Sequence, residues 1–506
     1  MSSSPSAPES GPPAVTRAQF RSAISAALTA MMLGALDQTI VSVSVPTIAK
    51  QLGGFEWMAW VISAYLIAST ATTPIYGKFS DLFGRRAVML TAIGIFTAAS
   101  VACALAQTMP QLVLARVVQG IGGGGLIAMA QSMIADVVPM RERGRFQVYV
   151  SSVWAGASVA GPVVGGMLTQ YLSWPWIFWI NLPVAALAIT MVRRSAVGSA
   201  RKLRKIRIDW LGIAVLLAGL IALLIPITRI GQGVPVHESA NLAGLGFAVV
   251  ALTYFARHEL RVDEPIIPLS MLGEPIVVLG CTVLFVCFFI FVSMSVLVPL
   301  RMQLVTGAGP GDAALAMLPY TLSNPVSGFV CGRWIYHYGR VRPLQRLGAA
   351  LMVASMAALA LISPSHGLAT GIVLTVLGVG LGCQLPTTLM MLQNSVSHSM
   401  LGTVTAVSAF FRLLGGAVGI AMLSAIVLAL LRDVLPADAA AHGLEGLGGL
   451  LGQAGQAGIS PDSVDRAFRY MLLGCAVLSL LNVFCVNRLP DVQLGARPRH
   501  AAIEAE

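Results

Sequence analysis

Four polar side chains of this sequence fall in apolar stretches where a membrane or a dry core would surround them. Asp37 and Gln38 lie in LDQTIVSVSVP (36–46), and Arg116 and Gln119 lie in LVLARVVQGIG (112–122). An arginine at the centre of a membrane helix costs about 2.5–3.5 kcal/mol, so it is expected to turn inward and find a partner. Asp37 stands roughly 13 Å along a helix from Pro46, and Arg116 roughly 9 Å from Pro110. Those depths allow an ion pair if the two helices are neighbours. Low dielectric favours a neutral carboxyl, and a nearby guanidinium favours the charged form. A carboxylate held between these influences can take up and release a proton, which makes Asp37 with Arg116 the candidate proton-coupling pair. The alternative is a permanent structural ion pair. A third charge, Arg412, stands roughly 15 Å into its own stretch. Its type and depth fit three roles equally: contact with a bound molecule, counter-ion to Asp37, or a structural group bonded to carbonyls. Gln38, Gln119, Arg412, Phe288 and Met390 are the candidate lining of a substrate cavity.

The elements that must position these groups are membrane spans. Of the 506 residues, 56% are hydrophobic and only 10% are charged, against about 25% charged in soluble domains. A soluble enzyme is excluded on those figures. A span needs roughly 20 apolar residues. Fourteen such stretches are read at 22–45, 57–77, 87–107, 111–135, 148–170, 176–192, 209–228, 239–256, 275–300, 312–332, 345–363, 368–391, 403–431 and 467–487. With the N-terminus inside, 24 of the 32 lysines and arginines fall on the cytoplasmic side and 5 outside, the remaining three being Arg116, Arg301 and Arg412. That asymmetry orients both termini to the cytoplasm. It also explains the net charge of +11 as topology rather than a nucleic-acid footprint. The seven cysteines form no CxxC or Cys/His cluster, so neither a metal nor a disulfide framework is expected. The tail at 1–20 is polar and Ser/Pro-rich and reads as disordered. The outer loop at 432–466 reads as either a surface helix or a flexible segment.

The loop after the second stretch is GKFSDLFGRR (77–86), and the loop after the tenth is GRWIYHYGRVR (332–342). Their glycines align at a constant offset of 255 residues. The chain therefore reads as two parallel six-helix halves, 21–195 and 275–490, with two spans inserted at 196–274 and a tail at 491–506. In the first loop, Gly77 allows close helix approach and Gly84 a tight turn. Asp81 can accept from a helix N-terminus or an arginine, and Lys78, Arg85 and Arg86 hold the cytoplasmic face. Asp136 is expected to pair with the basic residues at 85–86. In the fifth stretch, Gly161, Pro162, Gly165 and Gly166 make a bent, small-residue packing face. The tryptophans of WPWIFWINLP (174–183) read as interface anchors.

GKFSDLFGRR resembles the signature cytoplasmic loop of the major facilitator superfamily, and LARVVQGIG resembles its LxxxRxxQGxG motif. LDQTIVSVSVP is similar to the LDxTIVNVALP signature of the fourteen-span drug:proton antiporters of the EmrB/QacA type, and the AxxxGPxxGG stretch resembles the exporters' motif. The resemblance implies an all-α major facilitator fold with fourteen transmembrane helices and alternating access. It implies that Asp37 carries the coupling proton and that Gly77, Lys78, Asp81, Gly84, Arg85, Arg86 and Asp136 form a latch between the halves. Tyr336 stands where the second copy of the loop wants an aspartate. The expected function is proton-driven export of hydrophobic drugs or related compounds from a bacterial inner membrane, by a monomer. No ATP-binding motif is present, so the proton gradient is the expected energy source, with no cofactor and no metal. Some relatives use a periplasmic adaptor. Few acidic groups line the spans, which favours monocationic, neutral or anionic substrates over dications. The competing readings are an importer or a single-metabolite exporter of the same fold. A membrane enzyme or sensor finds no HExxH, phosphate loop or nucleophile motif.

Overall fold

The computed structural model describes residues 17–54, 57–138, 143–195, 209–262, 265, 267, 271, 273–396, 400–431 and 460–490. The last four residues of the tail expected to be disordered at 1–20 are helical, from Arg17 onward; residues 1–16, the tail at 491–506 and most of the outer loop, 432–459, lie outside the described residues, as does the side chain of Tyr336. The first half is built from α1 (Arg17–Leu52), α2 (Met58–Phe83), α3 (Arg85–Ala104), α4 (Met109–Val137), α5 (Arg143–Tyr171), α6 (Trp176–Trp179) and α7 (Asn181–Arg194). Then come α8 (Trp210–Gly231) and α9 (Ser239–Glu259). The second half is α10 (Pro275–Thr306), α11 (Pro310–Ala316), α12 (Leu318–Tyr338), α13 (Arg342–Leu361), α14 (Gly367–Asn394), α15 (Leu401–Leu431) and α16 (Pro461–Arg488).

Local chemistry sets the helix ends. Proline occupies the first or second position of α4, α10, α12, α13 and α16, where its missing N–H costs nothing. Gly84 and Gly339 end α2 and α12 at φ 86° and 67°, backbone values that suit glycine. The two aligned loops thus share a positive-φ glycine, although ψ differs, 145° at Gly84 and 8° at Gly339. Within the apolar runs proline does not stop a helix. Helix α1 continues through Pro46 to Leu52, well past the expected end at 45. Helix α10 carries Pro299 inside and runs to Thr306. Neighbouring helices re-satisfy the freed backbone groups in such a bundle.

Among the described residues, eleven helices are long and apolar enough to cross a membrane. Helices α2, α5 and α12 are 26, 29 and 21 residues long and are not among the eleven. Helix α2 packs on α15, and α5 on α12, along the seam between the two halves. In the first half α1 packs on α4, α5 and α7, and both α2 and α3 on α4. The same scheme recurs in the second half, with α10 on α14, α15 and α16, and both α12 and α13 on α14. Each half has its own apolar core, around Met89, Phe96 and Met133 in the first and Ile290, Met352 and Phe468 in the second. Helices α8 and α9 pair with one another, and α8 leans on α2 and α15 at the seam. A Cβ on Gly231 would lie 2.6 Å from the Ala421 backbone, so that glycine sets the approach.

Candidate functional site

Asp37 is fully buried in the first half. Its Oδ2 accepts from the Arg116 guanidinium at 2.6 Å, and its Oδ1 accepts from Gln119 and Asn181, each at 2.9 Å. The same Arg116 nitrogen donates to Gln119 Oε1 at 2.7 Å, while Arg116 Nε donates to the Val61 carbonyl at 3.2 Å. The guanidinium carbon stands 4.4 Å from the centre of the Tyr65 ring. Gln119 and Asn181 both also reach the Ser100 hydroxyl, at 2.8 and 3.3 Å. Five helices therefore meet in one network around the carboxylate: α1 brings Asp37, α2 Val61 and Tyr65, α3 Ser100, α4 Arg116 and Gln119, and α7 Asn181. Charged and neutral acceptors are satisfied from several sides, as an ion pair in a dry interior requires.

Glycines make this convergence sterically feasible. A Cβ on Gly120 would stand 2.4 Å from the Tyr65 carbonyl, one on Gly122 2.5 Å from the Phe96 nitrogen, and one on Gly124 2.5 Å from the Ser69 carbonyl. The run presses α4 against α2 and α3 at once. On the other side of Asp37, a Cβ on Gly161 would lie 2.1 Å from Thr39 Oγ1, and one on Gly165 2.9 Å from the Ile40 carbonyl. These two glycines of α5 seat it on α1 beside the carboxylate. Gly166 departs from the expected packing face: nothing described lies within 4 Å of where its Cβ would be. The side chain of Pro162 lies outside the described residues.

Two residues expected in the substrate cavity sit elsewhere. Gln119 is fully buried in the Asp37 network. Met390 packs in the second half's core with Cys331, Ile335 and Cys383, because α14 turns that face toward α12. Gln38 is half-buried beside Asp37. Arg412 does not join Asp37. It donates to Gln131 Oε1 across the seam at 2.9 Å and stands over the Phe288 ring, 5.2 Å from its centre. Asn181, Ser100 and Tyr65 were missed by sequence reasoning. Asn181 gave a signal, a carboxamide inside an apolar run, but WPWIFWINLP was read for its tryptophans. Of these, Trp174 is buried edge-on against Phe178 and Trp176 is exposed.

The loop residues gather at one end of the seam. Arg85, almost buried, donates to Asp136, to Ser80 Oγ at 2.9 Å and to Asp81 Oδ1 at 3.1 Å. Asp81 Oδ2 accepts from the backbone N–H and hydroxyl of Thr403, at 2.9 and 2.7 Å. Asp81 thus binds an arginine and the first turn of α15 together, joining the halves. A Cβ on Gly77 would fall 2.3 Å from that of Ala406, and one on Gly402 2.2 Å from the Arg85 guanidinium. Arg86 donates to the Arg193 carbonyl at the end of α7, and Arg342 in the second copy donates to the Asn487 carbonyl at the end of α16. Lys78 is half-buried in α2.

Comparison with known proteins agrees with this architecture. An uncharacterized MFS-type transporter of Mycobacterium tuberculosis (strain H37Rv) is 33% identical over 424 residues, covering 83% of this chain and 61% of that one. The chain therefore spans less than two thirds of that relative's length. The multidrug transporter protein MdtP of Bacillus subtilis (strain 168) is 33% identical over 408 residues, 80% of this chain and 74% of that one. The efflux pump dotC of Dothistroma septosporum is 33% identical over 400 residues, 77% and 68% of the two chains. Among solved structures, the proton:xylose symporter XylE superposes with a TM-score of 0.62 at 17% identity, covering 94% of this chain and 96% of that one. The human organic anion transporter MFSD10 gives 0.62 at 15%, covering 94% and 100%. These two likenesses concern the fold alone. The Major Facilitator Superfamily profile matches residues 27–420, and the chain belongs to that superfamily of transporters.

Proposed function

We propose that this protein is a proton-coupled antiporter that exports hydrophobic organic compounds by alternating access. The observation that carries the reading is the placement of Asp37. It is buried, paired with Arg116, held by two carboxamides, and two residues from the tight α1–α5 contact at Thr39 and Gly161. Protonation removes the charge that Arg116, Gln119 and Asn181 are arranged around. The packing of α1 against α4, α5 and α7 then changes with the proton, which couples titration to helix position. Outward release of substrate accompanies proton uptake, and inward loss of the proton accompanies substrate binding.

The finer reading is a fourteen-span member of the EmrB/QacA type, with α2, α5 and α12 crossing the membrane as well as the eleven apolar helices. The unequal distribution of Lys and Arg supports cytoplasmic termini, and the bacterial relatives support a bacterial inner membrane. The multidrug and efflux names of relatives support export, as does the GPxxGG segment at 161–166. The domains, 21–195 and 275–490 flanking the insert at 196–274, follow from the repeat. The protein works as a monomer on protons and lipid-borne hydrophobic substrates; a periplasmic adaptor is a further partner class. Everted vesicles test the reading. Wild type should accumulate a fluorescent hydrophobic drug under an imposed pH gradient, and Asp37→Asn should insert normally yet lose that accumulation by tenfold or more. Undiminished accumulation in Asp37→Asn would sink the proposal.

A further inference from the structure

The three arginines within spans are treated differently by their surroundings. Arg116 is neutralised by Asp37. Arg301 is neutralised by Asp465 at 2.7 Å and donates to the carbonyls of Leu359 and Ile362. Arg412 has neither device. It is 9% exposed, and none of the ion pairs among the described residues includes it. Its single described hydrogen bond goes to a neutral carboxamide, that of Gln131. Its Nε is buried with no hydrogen-bond partner among the described residues. A buried cation with an unused donor is costly and retains the capacity to bind an anion in the two-pronged geometry that guanidinium favours.

Position gives that capacity a purpose. Arg412 is on α15 in the second half and Gln131 on α4 in the first, so their bond bridges the seam. Gln131 lies about 22 Å along α4 from Arg116, so the arginine is remote from the Asp37 network. Beside it the half-buried rings of Phe288 and Phe291 lie 5.8 Å apart, and Phe291 meets Tyr320 at 5.7 Å. An apolar aromatic track thus leads away from an unneutralised cation.

We propose that Arg412 is the recognition group for the anionic head of an amphipathic substrate, a hydrophobic carboxylate or sulfonate whose apolar body lies along Phe288 and Phe291. Gln131 Oε1 occupies the guanidinium when the halves are together, and the substrate's oxygens replace it when they part. This substrate class rests on the exporter reading above, but binding is measurable without transport.

Equilibrium dialysis of the purified full-length protein tests it with matched probes, pyrenebutyrate and a pyrenylbutyl-trimethylammonium ion, which share one hydrocarbon and differ in charge. Wild type should bind the anion at least tenfold more tightly than the cation. Arg412→Gln should lose at least tenfold in anion affinity and leave cation binding unchanged or tighter. Arg412→Lys should keep the anion preference with weaker affinity. Equal affinity for the two probes in wild type, or a cation preference, overturns the proposal without any variant. So does unaltered anion binding in a folded Arg412→Gln. Asp37→Asn should still bind pyrenebutyrate. If that binding stands while wild-type vesicles show no gradient-driven efflux, the exporter reading fails and the anion site survives. If efflux of the cationic probe is robust and anion preference is absent, the anion site fails alone.

Discussion

At the scale of single residues, the Asp37–Arg116 pair is asymmetric in what each partner leaves behind. Removing Arg116 strands a carboxylate in a site with no exposure, a situation that costs about 3–5 kcal/mol. Arg116→Met should therefore lower thermal stability strongly in detergent, and Asp37→Asn added to it should recover much of the loss. Additive losses in the double variant would show that the pair is uncoupled. Asn181 offers a finer test. It donates to Asp37 Oδ1 at 2.9 Å, and a hydrogen bond to a charged group is worth about 1.5–3 kcal/mol. Asn181→Leu removes a donor from Asp37 Oδ1 and the longer contact with the Ser100 hydroxyl. Melting temperature in detergent should then fall measurably, and an unchanged melt would remove this hydrogen bond from the network's support.

At the scale of helices, the polar network exists because glycine lets backbones approach within side-chain distance. Beside Asp37 the α1–α5 contact is the closest such approach, since a Cβ on Gly161 would overlap Thr39 Oγ1 at 2.1 Å. Gly161→Val should cost about 1–3 kcal/mol of stability through overpacking, and it should slow efflux by separating α5 from the proton site. Gly156, on the same helix, faces open space among the described residues, so Gly156→Ala should change melting temperature little. Equal effects of the two variants, by thermal melting and vesicle uptake, would argue against the contact.

At the scale of the whole molecule, the halves are held at one end by Asp81. Its two hydrogen bonds to Thr403 together supply several kcal/mol in the joined state and none once α15 moves away. Asp81→Ala should shift the population toward a form open at that end. Spin labels at Phe83 and Tyr338, exposed positions related by the 255-residue repeat, should report a longer mean distance in the variant than in wild type. An unchanged distance distribution would remove Asp81 from the latch.

The sequence by itself determined the membrane class, the internal repeat, the uneven placement of Lys and Arg along the chain, and the positions of Asp37 and Arg116 along their helices. Those follow from composition, from periodic offset and from the fixed rise of a helix. It also marked Gly84 as a turn, because only the local backbone decides that, and the aligned Gly339 likewise ends its helix at positive φ. Partnership was decided by the tertiary structure. Nothing local says that α7 delivers Asn181 to Asp37, that Gln119 serves that network rather than a cavity, or that Met390 is core. Arg412 shows the division most clearly. Its depth was countable along the chain, but three roles fitted that depth equally. Only the approach of α4 and α10 to α15 showed a guanidinium resting on Gln131 and Phe288, away from Asp37. Depth is a one-dimensional property of a helix; a partner is a property of which helices meet.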